Sequence, residues 1–173
     1  MEAGAPVWIT RARPGAEATA GRVRALGFTP IIDPLLAVEA LDVDLDLDHV
    51  AALAFTSANG VEAFARLSDQ RRLPVFAVGR ATARAAKGAG FPSVTSADGD
   101  VEDLARLIVG AAGGPVLWAG AKEPAGDLVS LLRDCGMMAH GVAVYETVER
   151  APSAATLEAA TTVLLHSPRA ARA

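Results

Sequence analysis

This chain of 173 residues has few of the side chains that titrate near neutrality or form disulfides, and little phenol: three histidines, one cysteine and one tyrosine. The lone Cys135 excludes an internal disulfide and suits a reducing, cytoplasmic setting. Aromatic residues make up only 5% and the net charge is −4, so both the stacking surface and the basic excess of a nucleic-acid binder are missing, and no nucleic-acid partner is expected. No run approaches the roughly 20 apolar residues of a membrane-spanning helix. Residues 1–6 lack the positive stretch and apolar run of a secretory leader, so neither a leader nor a membrane partner is expected. What the chain does have is apolar bulk. Hydrophobic residues reach 51% against 21% charged, which suffices for a buried core and argues against disorder.

Several catalytic signatures are missing too. No Gly-x-Gly-x-x-Gly follows a candidate strand, no Gly-x-x-x-x-Gly-Lys phosphate loop occurs, and Ser57 is not in a Gly-x-Ser-x-Gly elbow. His49, His140 and His166 stand singly, and with one cysteine they make no metal-ligand pattern, so no metal is expected. Of the three, only His166 sits at a strand end. Asp42, Asp44, Asp46 and Asp48 alternate with Val43, Leu45 and Leu47 like the start of a calcium loop. The required glycine is Leu47 and the closing glutamate is Leu53, so the segment reads as a solvated connector or edge. Cys135, near a helix end in an apolar neighbourhood, reads as an inert core thiol. Glu123 and Asp127 have the chemistry of acids, but carboxylates at helix starts commonly serve as caps.

The chief positive feature is a repeat. Pro6-Val7-Trp8-Ile9-Thr10-Arg11 opens one block and Pro115-Val116-Leu117-Trp118-Ala119-Gly120 a second; each leads through a polar turn into a helical stretch ending at Leu26-Gly27 or Cys135-Gly136. A further matched pair follows, Leu53 to Gly60 and Val163 to Ala170. Val7 to Leu53 spans 46 residues and Val116 to Val163 spans 47. The first copy has a third unit, Pro74-Val75-Phe76-Ala77-Val78-Gly79-Arg80-Ala81-Thr82-Ala83, whose counterpart would fall beyond Ala173. Such self-similarity signals duplicated supersecondary units, here with the last third of one copy missing.

Strands alternate with helices along the chain. Short apolar runs at 7–9, 51–55, 74–78, 116–118, 142–145 and 163–165 read as strands, and 30–36 as an extended segment. Helices are expected at 16–26, after Gly60, at 81–89, after an Asp100 cap with Asp103 in the first turn, and at 127–135; residues 151–153 read as a linker. This rhythm predicts parallel sheets covered by helices on both faces, with ligands at the carboxyl ends of the strands.

The turns at those ends share one chemistry: Thr10-Arg11, Thr56-Ser57-Ala58-Asn59-Gly60, Gly79-Arg80-Ala81-Thr82, Gly120-Ala121-Lys122 and Ser167-Pro168-Arg169. Amides at a helix start bind anions, small residues admit them, hydroxyls add donors, and four of the five turns carry a cation. Ordinary helix capping favours the same residue types. Tyr145, at the end of its strand, is placed either to donate a proton into a cleft between domains or to pack at their boundary.

In their order and spacing, Ile9-Thr10-Arg11, Phe55-Thr56-Ser57-Ala58-Asn59-Gly60-Val61, Val78-Gly79-Arg80-Ala81-Thr82-Ala83 with Gly90, Asp98-Gly99-Asp100 with Leu104, Val144-Tyr145-Glu146-Thr147 and Ser167-Pro168 resemble the uroporphyrinogen-III synthase family. His166 departs from the family's frequent threonine before Ser-Pro. The resemblance implies two flavodoxin-like α/β domains joined by a two-segment linker. One comprises residues 37–146. The other is discontinuous, 1–36 plus 147–173, and incomplete at its C-terminal end. It implies closure of hydroxymethylbilane to uroporphyrinogen III with loss of water and inversion of ring D through a spiro intermediate, without metal or organic cofactor. On this reading Tyr145 supplies the acid. Thr10, Arg11, Thr56, Ser57, Ala58, Asn59, Gly79, Arg80, Thr82, Gly120, Ala121, Lys122 and Ser167 hold the carboxylate arms of the tetrapyrrole, across a gap between the domains. A monomer is expected. A two-lobed anion-binding module and an inactive synthase fragment are the alternatives.

Overall fold

The computed structural model describes residues 4–13, 15–166 and 171. In chain order its elements are β1 (Pro6–Ile9), α1 (Gly15–Ala25), β2 (Thr29–Ile32), β3 (Leu36–Ala40), β4 (Ala52–Phe55), α2 (Ala58–Leu67), β5 (Val75–Ala77), α3 (Arg80–Gly88), β6 (Val94–Ser96), α4 (Val101–Ala111), β7 (Val116–Ala121), α5 (Leu128–Asp134), β8 (Ala139–Glu149), α6 (Ala154–Ala159) and β9 (Thr162–Leu164). The chain divides into two compact units, residues 1–39 with 147–173 and residues 40–146. This is a mixed α/β protein in which β1 pairs parallel with β2 and β9, and β4 to β8 form a parallel set.

In the first unit the sheet runs β2-β1-β9. Val7 and Ile9 point to one face, where Ala16, Ala20 and Val23 of α1 cover them. Trp8 points the other way, and its indole donates to the Asp33 carbonyl at 2.6 Å.

The sheet that carries the second unit runs β3-β8-β7-β4-β5-β6. Its central strands are buried along their length, Ala52–Phe55 and Val75–Ala77 entirely, because helices cover both faces. On one face Phe55, Leu53 and Leu117 meet Val61 and Phe64 of α2 and Ala86 of α3. On the other, Ala52, Ala54, Phe76 and Trp118 meet Leu104 and Ile108 of α4 and Leu128 and Leu132 of α5. Phe55, Phe64 and Phe91 cluster with ring centroids 5.6–6.2 Å apart. Ser57, Asp100 and Asp127 each cap the helix that follows by accepting an amide N–H three residues on. Gly27 and Gly136, just past α1 and α5, take the left-handed φ of +83° and +78° that side chains resist, which is why those helices stop there.

The structure departs from the sequence reading in five places. The extended segment 30–36 is two strands, because Pro34 interrupts the pairing between Ile32 and Leu36. Tyr145 is not a strand end: β8 continues to Glu149 beside β3, where the Arg150 amide donates to Leu35 and the Leu41 amide to Val144, an antiparallel pairing. Residues 151–153 lead directly into the short α6, which Ser153 caps. The edge strand β6 has no strong apolar alternation and is absent from the sequence reading. Cys135 is exposed rather than a core thiol: it follows the last turn of α5, where the chain turns out through Gly136. Residues 41–51 form no strand, in line with a connector; Val43, Leu45 and Leu47 rest on the sheet while the aspartates alternate outward.

Candidate active site

Because β4 to β8 are parallel, their carboxyl ends share one edge of the sheet. Strand order runs outward from β4 in both directions, to β5 and β6 on one side and to β7 and β8 on the other. The winding therefore reverses between β4 and β7, and at such a switch point the flanking loops separate and leave a crevice. Thr56 and Ser57 leave β4 there; Gly120, Ala121 and Lys122 lie at the end of β7; Tyr145 lies on the neighbouring β8.

Ser57 connects these elements. Its Oγ accepts the Gly60 amide at 3.1 Å and lies 2.9 Å from Tyr145 Oη. Gly60 has no room for a side chain: a Cβ would stand 2.7 Å from the Ala119 carbonyl, so α2 begins pressed against β7. Thr56 Oγ1 accepts the Trp118 indole N–H at 3.2 Å. The same indole lies over Gly120, where a Cβ would run into the ring, and beside Gly141, where a Cβ would come within 3.1 Å of it. These two glycines make the slot that lets Trp118 reach Thr56.

Tyr145 is aimed by an irregularity in β8. Gly120 pairs with Ala143 but Ala121 with Tyr145, so Val144 is an extra residue. In regular alternation Val144 and Tyr145 would point to opposite faces. With the bulge both are buried on the α2 face, Tyr145 only 7% exposed.

The remaining residues expected at the site fall into three groups. Ala58 and Asn59 form the first turn of α2, and Gly79 precedes α3 with no side-chain cap, leaving that helix start to its own amides. Lys122 and Arg80 are exposed and already paired, Lys122 with Glu146 and Arg80 with Asp98, each at 2.9 Å. The Glu146 carboxylate raises the Lys122 pKa, and Asp98 does the same for Arg80. The Ser96 hydroxyl, then Arg80, lowers that of Asp98. Exposed pairs of this kind contribute little to stability. Thr10 and Thr82 are buried. The Thr10 hydroxyl donates to the Leu164 carbonyl at 2.8 Å, tying β1 to β9. Arg11 is exposed, its guanidinium lying over Gly15 at the start of α1. Ser167 lies outside the described residues. The second unit thus gathers Thr56, Ser57, Ala58, Asn59, Gly79, Arg80, Gly120, Ala121, Lys122 and Tyr145 along one sheet edge, while Thr10 and Arg11 end β1 in the first.

Sequence reasoning missed Trp118 as the partner of Thr56, and Gly141 as the residue that admits its ring. The only available signal was a large aromatic two residues before a glycine within a buried strand. Among the described residues no group of three or more His, Cys, Asp or Glu side chains is arranged to hold a metal. No helix among them is long and apolar enough to cross a membrane.

A parallel sheet wound in both directions from β4, with helices on both faces and hydroxyls and helix amides at its switch point, places the chain in the doubly wound α/β class. A family model described as uroporphyrinogen-III synthase HemD matches residues 17–173. The chain belongs to the uroporphyrinogen-III synthase family. Solved structures share its fold. A uroporphyrinogen-III synthetase from Helicobacter pylori superposes with a TM-score of 0.68 at 20% identity, covering 98% of this chain and 76% of that one. A mutant uroporphyrinogen III synthase from the extremely thermophilic bacterium Thermus thermophilus gives 0.59 at 22% identity, covering 85% of this chain and 64% of that one. The chain thus matches less than two thirds of the length of the Thermus protein. No curated protein sequence matches it.

Proposed function

We propose that this chain acts as a uroporphyrinogen-III synthase: it closes hydroxymethylbilane to uroporphyrinogen III, inverting ring D and releasing water. The observation that carries the reading is the family match over residues 17–173. The substrate is a flexible polyanion, and its acetate and propionate arms suit a sheet edge lined by hydroxyls, helix amides and cations. On this reading the binding residues are Thr56, Ser57, Ala58, Asn59, Gly79, Arg80, Thr82, Gly120, Ala121 and Lys122 of the second unit, with Thr10, Arg11 and Ser167 of the first. Much of the catalysis is positional, since folding the linear tetrapyrrole brings its two reacting ends together. The reaction draws on no cofactor. The protein works as a monomer in the cytoplasm, where the exposed Cys135 stays reduced.

Tyr145 is the proposed acid. Its proton goes to the departing hydroxyl, the carbon–oxygen bond breaks, and water leaves. The electron pair of the pyrrole nitrogen stabilises the resulting azafulvene cation. Because that cation forms readily, the acid's contribution lies below the usual range for general acids of about 100- to 10,000-fold. Tyr145→Phe should lower kcat roughly tenfold without abolishing it.

Incubation with hydroxymethylbilane, followed by oxidation and separation of the isomers, tests the reading. The expected product is isomer III. Isomer I alone, formed at the spontaneous rate, would make the chain a binding module or an inactive fragment. Full turnover by Tyr145→Phe would remove the phenol from the acid role.

A further inference from the structure

A phenol that is to give up its proton must not already be donating it to the protein. Tyr145 Oη has the Ser57 hydroxyl 2.9 Å away, so the direction of that hydrogen bond decides whether the phenol proton is free. One side of Ser57 Oγ is already taken by the Gly60 amide. The Ser57 proton is unassigned by that contact and has Tyr145 Oη within reach. Two features hold the pair in place. The extra residue Val144 turns Tyr145 onto the α2 face, and the absence of a side chain at Gly60 lets α2 start against β7. A bulge in a parallel pair is rare, and here it re-aims one side chain.

We propose that Ser57 is the positioning residue of Tyr145: it donates to Tyr145 Oη and so turns the phenol proton toward the substrate. The proposal rests on the reading of Tyr145 as the acid. When the phenol O–H bond breaks and its proton leaves with the departing hydroxyl as water, the negative charge stays on Tyr145 Oη. The Ser57 O–H points at it, and the Ser57 oxygen is in turn held by the Gly60 amide in the first turn of α2, the positive end of that helix. Loss of a proton from the ring-closed cation restores the phenol, so the cycle balances.

Two independent readouts test this. Tyr145 is the only tyrosine of the chain, so the tyrosine doublet in the ultraviolet Raman spectrum reports its hydroxyl alone. In the unmodified protein the doublet should be that of a phenol accepting a hydrogen bond. It should shift in Ser57→Gly and return in Ser57→Thr. Glycine is a tolerated N-cap, and Ser57→Asn, which caps without a hydroxyl, serves if the glycine variant does not fold. In kinetics, Ser57→Gly should lower kcat several-fold, beyond any rise in KM from its contact with the carboxylate arms, and Ser57→Thr should restore kcat. The kcat of the double variant Ser57→Gly/Tyr145→Phe should be no lower than that of Tyr145→Phe alone. Additive losses, or an unshifted doublet, would overturn the proposal while leaving the synthase reading intact. If the unmodified chain forms no isomer III, the synthase reading fails instead, and the proposed role for Ser57 fails with it even where the Raman arm shows the contact.

Discussion

The guanidinium of Arg71 reaches four main-chain carbonyls. Its Nε donates to Ala89, Nη1 to Ser68 and Gln70, and Nη2 to Ala65, over 2.7–3.1 Å. It also lies 5.0 Å above the ring of Phe91. Ala65 and Ser68 are at the carboxyl end of α2, and Ala89 is at that of α3. One fixed cation thus satisfies two helix ends whose carbonyls carry partial negative charge, and presses on the phenylalanine cluster beneath. Arg71→Ala should lower the unfolding free energy by roughly 2–4 kcal/mol, since charged donors to carbonyls are individually worth about 1.5–3 kcal/mol and do not add. Arg71→Lys should recover less than half, because one ammonium cannot span the fork. Urea unfolding followed by circular dichroism reads both; a lysine variant as stable as the parent would contradict the account. None of this is legible in Arg71-Arg72, which looks like ordinary surface charge. The aim of Tyr145 was equally hidden. Its place on a strand beside the site could be read from the sequence, but the bulge that turns it could not.

At the scale of elements the helix starts were the most legible feature, because a cap is a local device. Asp100 and Asp103 accept each other's amides in a reciprocal capping box, and Asp127 accepts from Ser130. These contacts favour the charged carboxylates. The Asp103 amide holds the Asp100 pKa below its ordinary value, and the Ser130 hydroxyl, then its amide, does so for Asp127. In the first unit the Thr156 hydroxyl, then the Ser153 amide, lowers that of Asp33. A carboxyl whose pKa is lower folded than unfolded contributes stability above the unfolded value, and that contribution is lost as pH falls through the folded one. The melting temperature should therefore hold from neutrality to about pH 5 and fall below about pH 4. In Asp100→Asn/Asp127→Asn the acid fall should be smaller, and the neutral melting temperature lower. An acid profile that both substitutions leave unchanged would refute the assignment. The strand β6 escaped the sequence reading because its three residues hold their place by pairing with β5, not by an apolar pattern of their own.

The two units are unequally built. The second buries two clusters, one on each face of its sheet, with Phe55, Phe64, Leu104, Ile108, Leu128 and Leu132 fully enclosed. The described core of the first is Val7, Ile9, Ala16, Ala20 and Val23, on one side of three strands. Stability scales with buried apolar area, so the first unit should open at lower denaturant. The two tryptophans make this measurable, since Trp8 lies in the first unit and Trp118 in the second. Fluorescence of a Trp118→Phe variant should change at lower urea than that of a Trp8→Phe variant. Coincident transitions would mean that the units unfold together.

By itself the sequence determined the alternation of strand and helix, the helix caps and stops, and the small and hydroxyl residues that close β1, β4, β5 and β7. Those features are set by side chains within a few positions of one another, such as Ser57 with Gly60 or Asp100 with Asp103. Only the tertiary structure decided which strand ends become neighbours, which way Tyr145 points and where Cys135 lies. Those depend on pairings between residues 62 to 88 positions apart, Thr56 with Trp118 and Ser57 with Tyr145, and on a one-residue shift in register at Val144. Local composition carries no trace of either, because the energy that selects them comes from packing two distant segments against the same sheet.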